Sequence, residues 1–433
     1  MLSRGSWGVV EVLCSIGQMP RSGCNFKKRN TARPVLRITR VLEPMIFVYD
    51  DKDGRLGRIR TLPDSDLGPV RTVAPMSVVR LPETGPVRRY TRPPARQSDG
   101  YRAAFDQRTL IYDVWIEDGF LKMLCPRLLN LWPILKNGLV AGDKSIRPRR
   151  RRFLRYEVLS IPLPDQPIRI ELGDWSAPII PSGVPRARFA GRNLLIAVSR
   201  NNALDWIGNW AEAHARGHGA NAVILFDNGS DQYVPEEISD TLSGISGLVD
   251  HLVLSAPVPY GPPGGTKKLE VPPRFFQTAM LNLVRLHYGA RARGVLSLDI
   301  DEIMRPSRVS VYDMAKNSHS GQVAFRGRWC YASASQPTSQ FAHTRAVSAQ
   351  KPCGPKWCVV PGSLSGRFNW TVHRLGGPLH QLSMQKRPMF WHCFQTSTSW
   401  KKDRTSTHKK AAPDPDLIAD WQRLRVPNRE GEP

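Results

Sequence analysis

The run Gly294-Val-Leu-Ser-Leu298 leads directly into Asp299-Ile300-Asp301-Glu302. Aspartates two residues apart in extended backbone project from the same face. In open α/β sheets, ligands sit just beyond the carboxyl ends of the strands, which is where this pair falls. Two convergent carboxylates cannot both stay ionised without a cation beside them. A hard divalent ion with oxygen ligands, Mn²⁺ or Mg²⁺, relieves that repulsion. The same ion can bridge two phosphates and neutralise charge on a departing diphosphate. Asp299 and Asp301 are therefore candidate metal ligands. An isolated Asp-x-Asp also arises in ordinary acidic turns, so its place after an apolar run is what gives it weight.

Two further polar turns close strand-like runs. Phe226-Asp227-Asn228-Gly229-Ser230 follows Ala222-Val-Ile-Leu, and Ser199-Arg200-Asn201-Asn202 follows Asn193-Leu-Leu-Ile-Ala-Val. Gly229 permits a sharp turn, and short Asp, Asn and Ser groups suit a base, a ribose or a phosphate. Each motif taken singly is also an ordinary turn or helix cap. Asn201, Asn202, Asp227, Asn228 and Ser230 are the candidate nucleotide-binding residues.

These turns need a frame of strands to bring them together. From residue 190 onward, apolar runs alternate with helical periodicity, which predicts an α/β domain with a mostly parallel sheet. Asn193–Ser199, Ala222–Phe226, Val249–Leu254 and Gly294–Leu298 read as strands. Leu204–Gly217, with Trp206, Ile207, Trp210 and Ala213 at helical spacing, reads as an amphipathic helix, as do Pro235–Leu242 and Phe275–Tyr288. Upstream, residues 104–185 read as a small β-rich domain. Within it, Glu117-Asp-Gly119 suits a tight hairpin, and Arg149–Arg152 is expected in a loop. Residues 1–103, rich in Pro, Arg and Gly, are expected to be irregular and partly disordered, and 403–433 to form a basic tail with room for a short helix.

In order along the chain, the motifs resemble those of GT-A nucleotide-sugar glycosyltransferases, with family 92 and the family 2-like group nearest. Members read N-E-x-x-W-x-x-x-W-x-x-x-H, then Y-D-N-G-S, then D-x-D-E-F. The chain has Asn202-Ala-Leu-Asp-Trp206-Ile-Gly-Asn-Trp210-Ala-Glu-Ala-His214, then Phe226-Asp-Asn-Gly-Ser230, then Asp299-Ile-Asp-Glu-Ile303. The resemblance covers about residues 190–402. It implies a GT-A-like (Rossmann-type) mixed sheet flanked by helices and a divalent cation at Asp299 and Asp301. It also implies nucleotide contacts from Asn202 and Asp227. Ala203, Phe226 and Ile303 depart from the pattern, and Ala203 removes a carboxylate, with Asp205 close by.

GT-A enzymes build their acceptor side further downstream, and commonly take another metal ligand there from a histidine. His392 is the candidate, with His373 second. Lys356-Trp357 and Trp400-Lys401 are candidates for the acceptor or phosphate side, since Trp faces stack on sugars and Lys meets phosphate. A lone His or Trp is ordinarily a satisfied core residue. No catalytic base declares itself; Glu302 and Asp403 are the carboxylates to consider.

The expected reaction is sugar transfer from a nucleoside-diphosphate sugar to a glycan or glycolipid. The alternatives are an inactive GT-A-like glycan-binding or assembly module and, less favoured, a nucleic-acid-binding protein. The net charge of +25 would support the last. It is concentrated before residue 160 and in the tail, and equally suits peripheral contact with an anionic membrane. Seven cysteines, an odd number spread thinly, favour reduced thiols. Without a long apolar run or a convincing leader, the expected location is cytoplasmic, at most peripheral at the inner face of the membrane.

Overall fold

The computed structural model describes residues 71–262, 271–335, 337–375, 379–394 and 406–425. It also describes a small antiparallel sheet formed by Val9–Val12, Met45–Asp50, Arg55–Leu56 and Arg60–Thr61. The chain is mixed α/β, with one large mixed sheet and smaller β-sheets.

Nine strands form the main path of the eleven-stranded large sheet: β1 (Val73–Pro75), β2 (Asn193–Ser199), β3 (Ala222–Asp227), β4 (Asp250–Ser255), β5 (Gly294–Ser297), β6 (Glu302–Met304), β7 (Gln322–Tyr331), β8 (Lys356–Val359) and β9 (Met384–Cys393). Their order is β6-β9-β7-β8-β5-β2-β3-β4-β1. The half from β5 to β1 is parallel, and β8 joins it antiparallel to β5. Strands β2 and β3 are apolar on both faces because helices cover both. Leu194, Ile196 and Ile224 enter one core with Phe276 and Met280 of α3 (Phe276–Leu283). Leu195, Ala197 and Val223 enter the other with Trp210 of α1 (Leu204–His218) and Ile238 of α2 (Pro235–Ser243).

Only residues 298–301 separate β5 from β6, yet β8, β7 and β9 lie between them in the sheet. Five extended residues reach at most about 18 Å. Four strand spacings in a flat sheet need about 19 Å. The half from β8 to β6, in which β7 and β9 pair in parallel, must therefore curl back over the carboxyl end of β5, helped by an irregularity in the β7/β9 pairing between Ala324 and Arg326. Helix α1 supports the returning strand. The His214 ring bonds the Trp210 carbonyl through Nδ1 (2.7 Å) and accepts the Met304 N–H at Nε2 (3.1 Å). The Trp and His of the first motif thus build the scaffold behind the carboxylates.

The β-rich part forms two antiparallel four-stranded sheets. One comprises Asp113–Glu117, Phe120–Pro126, Tyr156–Pro162 and Arg149–Arg152; the other comprises Leu139–Ala141, Lys144–Ser145, Ile168–Leu172 and Trp175–Pro178. The expected hairpin is present, with Asp118 and Gly119 both at positive φ (50° and 76°). Two expectations are corrected. Arg149–Arg152 is an edge strand, not a loop: an edge leaves long basic side chains in solvent, and Arg150 stacks on Trp132 while pairing with Glu157. Residues 71–103, read as irregular, contribute β1 to the large sheet and a buried Arg88 whose guanidinium bonds the Asp106 and Thr109 carbonyls. The tail holds helix Pro415–Arg425, whose Asp420 accepts from Trp391. Among the described residues no helix is long and apolar enough to cross a membrane.

Three buried histidines make this fold acid-sensitive. Burial pushes His214 down to about 3, His218 to about 4 and His287 to about 3. Their folded values lie below the unfolded value of about 6.5, so their contribution is present above that value and is lost as pH falls below it. The unfolding free energy from urea titration should drop between pH 7 and pH 5 by roughly 2 kcal/mol for each histidine, and the midpoint with it. An unchanged midpoint would rule out neutral burial.

Candidate functional site

After β2 the chain moves outward through β3 and β4, then returns to place β5 on the other side of β2. Such a reversal opens a crevice beyond the carboxyl ends of the strands, which is where ligands bind in doubly wound sheets. A small cavity lies there, lined by Ala197, Phe226, Gln277, Met280, Ser297 and Asp299.

Asp227 closes β3 and the other four candidate nucleotide residues sit on the two loops at this edge, and most of their bonds brace the loops. Asn201, in the left-handed region (φ 54°), donates from Nδ2 to Asp231 (2.9 Å) and accepts the Asp231 N–H (3.0 Å). Its own N–H reaches Ser230 Oγ (2.9 Å), and that hydroxyl donates to Asp227. Asn202 donates to Ser199 Oγ. Asn228 donates both Nδ2 protons, to the Ala256 and Val258 carbonyls at 2.8 Å each, so its side-chain donors are spent. The loops form a rigid rim.

Beyond β5 the acidic motif forms a network with two cations. Lys356 Nζ lies 2.7 Å from both Asp299 Oδ2 and Glu302 Oε2, and Glu302 Oε2 also accepts the Asp299 N–H (2.9 Å). Asp301 Oδ2 lies 3.2 Å from His392 Nε2, and Glu302 Oε1 lies 3.5 Å from His392 Nδ1. Strand register sets these meetings: Glu302 faces His392 across β6/β9, and Trp329 faces it across β7/β9, stacked at 4.0 Å. Lys356 is 1% exposed and Glu302 2%, whereas the Asp299 side chain is 39% exposed.

Burial pushes Glu302 up to about 7; Lys356 opposes this and Asp299 adds to it. Burial would also raise Asp299, but the ammonium of Lys356 holds it below the usual carboxylate range. Burial disfavours charge on His392, yet Asp301 raises it well above the usual histidine value.

The structure thus brings together Asp299, Asp301, Glu302, Lys356 and His392, and revises several assignments. Lys356, expected to meet phosphate, sits between two carboxylates. Asp299 is tied to Lys356, while Asp301 meets His392, so the two aspartates do not share one partner. Trp357 is fully buried, donates from Nε1 to the Thr371 carbonyl and packs on Trp370; it has no face to offer a sugar, because β8 points it into the core. His373 is exposed and bonds the Pro355 carbonyl (3.1 Å), although its charge environment includes Lys356 and Asp299. Trp400, Lys401 and Asp403 lie outside the described residues. Gln277, which reaches Asp299, and Trp329 carried no sequence signal, since both arrive from elements distant in the chain.

Among the described residues no group of three His, Cys, Asp or Glu side chains is arranged to hold a metal ion. Asp301 and His392 fit as a two-residue anchor once His392 gives up the proton it holds against Asp301, since only a neutral imidazole ligates a cation. Their 3.2 Å separation is that of neighbouring ligands on an octahedral cation with bonds of about 2.1–2.3 Å. Magnesium-like ions usually take one or two protein carboxylates and complete their shell with water and phosphate. No protein-family model matches the chain, and comparison with curated proteins finds no match.

Lys356 is the cation on which Asp299 and Glu302 depend. Lys356→Met should destabilise the fold by about 3 kcal/mol at pH 7, because it breaks two buried charge pairs and forces Glu302 to take up a proton. Chemical denaturation with a retained m-value checks this; a change under half a kcal/mol would show that the network carries no net stability.

Proposed function

We propose that the chain is a GT-A-type glycosyltransferase, moving a sugar from a nucleoside-diphosphate sugar to a glycan or glycolipid acceptor. One observation carries the reading: the Asp301–His392 pair stands beside the Asp299–Lys356–Glu302 cluster at the carboxyl ends of parallel strands, where the sheet order reverses. The loops at 199–202 and 227–231 frame a nucleoside, and Asp227 and Asn202 are the residues the motif resemblance points to. Asp301 and His392 would hold Mn²⁺ or Mg²⁺, which when bound neutralises charge on the diphosphate. Lys356 keeps Asp299 ionised and oriented toward the crevice. Glu302, half-titrated near neutrality, is placed to hold a proton. The basic surface suits acidic glycans or an anionic membrane at the cytoplasmic side.

A second reading draws on the same cluster. Lys356 and His392 already offset the carboxylates, so the site is electrostatically satisfied by protein groups alone. A non-catalytic glycan-binding module would need nothing more.

Calorimetric titration with UDP, GDP and CDP, with and without Mn²⁺, separates the two. The enzyme reading expects one nucleotide to bind in the micromolar range with metal, and binding to weaken at least about 30-fold in Asp301→Asn, roughly 2 kcal/mol. Absence of nucleotide binding by folded protein with Mn²⁺ present would transfer the assignment to the binding module.

A further inference from the structure

Strands β7 and β9 run parallel and in register at their carboxyl ends, where Trp329 faces His392 and Cys330 faces Cys393. In-register partners on neighbouring strands lie about 4.8 Å apart, inside the span that a disulfide bridges. Partners across a ladder also point to the same face, so the two sulfurs meet. Cys330 Sγ donates to Cys393 Sγ at 3.7 Å, and Cys393 Sγ donates to the Gln340 carbonyl at 3.7 Å. Both cysteines are reduced and fully buried. Closing the remaining gap is within reach of side-chain rotation, because the sheet already holds the two backbones at the required spacing.

Burial raises the Cys393 thiol well above its usual range, with Cys330 adding to this and His343 opposing it, so the closed strands protect the pair. Access comes from position. Cys393 is the last residue of β9 and Cys330 the last but one of β7. Strand ends open locally at far lower cost than a whole sheet, which admits a small oxidant.

We propose that Cys330 and Cys393 form a thiol–disulfide site, oxidised by a low-molecular-weight disulfide, whose bond locks β7 to β9 beside the Trp329–His392 stack. One cysteine thiolate attacks a sulfur of the added disulfide. A mixed disulfide forms, and the thiolate expelled takes up the proton that the cysteine lost. The second cysteine then attacks the protein sulfur of the mixed disulfide. The internal S–S bond forms, and the second small thiol leaves with that cysteine's proton. Two protein thiols are oxidised and one disulfide is reduced to two thiols. The Cys393 N–H donates to the Asp301 carbonyl (2.8 Å), so the lock extends to the turn that carries Asp301. The two cysteines are 63 positions apart, so the link closes a long loop and restricts the unfolded chain. It needs neither metal nor nucleotide and stands apart from the glycosyltransferase reading.

The test incubates the full chain with glutathione disulfide at neutral pH, quenches with acid, alkylates remaining thiols in denaturant and maps the peptides without reduction. The expected product is one peptide pair joining Cys330 to Cys393. The oxidised chain should melt about 5 °C higher than the reduced chain, and dithiothreitol should reverse the shift. Cys330→Ala should lose both the linked peptide and the shift, whereas Cys125→Ala, in the β-rich sheet, should keep both. Recovery of Cys330 and Cys393 as alkylated or glutathione-capped residues overturns the proposal and leaves two core thiols. So does a link spread evenly over other cysteines. A linked pair that melts at the same temperature or lower overturns the lock, since the bond would then strain the sheet. If Cys330→Ala does not fold, the peptide map and melting shift of wild type decide.

Discussion

The crevice depends on one buried ammonium. Lys356 is almost wholly withdrawn from solvent and lies at 2.7 Å from two carboxylates, one buried and one facing the opening. Without it, Glu302, already raised by burial, would be driven to its neutral form, and Asp299 would lose the charge that keeps it ionised. With it, Asp299 stays ionised, its N–H is held by Glu302, and the turn keeps one shape. Bond and charge reinforce each other because the surroundings exclude water.

A second constraint brings the cation and its carboxylates to one place. Five residues cannot span four strand spacings in a flat sheet, so the half from β8 to β6 curls over β5. That curl sets β9 beside β6, and register then puts His392 across from Glu302, within reach of Asp301. The same bend lets α1 hold β6 through His214. Scaffold and chemistry are therefore one problem: the motif histidine and tryptophans of α1 serve the site by fixing the strand that begins at Glu302.

The two loops of the nucleotide rim show how short polar motifs can read as ligands and act as braces. Asn228 spends its two side-chain protons on backbone carbonyls, and Asn201 exchanges bonds with Asp231. Such rigidity suits a binding site, since a rim already ordered loses little entropy when a ligand arrives. It also explains why residue type alone ranks these positions poorly. An asparagine at a strand end satisfies a turn and a ribose with the same amide.

Local pattern was enough to determine the alternating strands and helices between Asn193 and Ser297, the Asp118-Gly119 hairpin and the position of the acidic triplet at a strand end. Periodicity, turn chemistry and short-range sterics act within about fifteen residues, which a linear reading captures. Pairing between distant segments lay beyond it. That Val73–Pro75 joins the large sheet, that Arg149–Arg152 forms an edge strand, and that Trp357 turns inward while Lys356 turns to the carboxylates were decided by long-range register. In a strand, adjacent side chains point to opposite faces, so the Lys-Trp dipeptide must send one residue to the crevice and one to the core. Which goes where depends on the neighbour across the sheet, and only the assembled sheet supplies that neighbour.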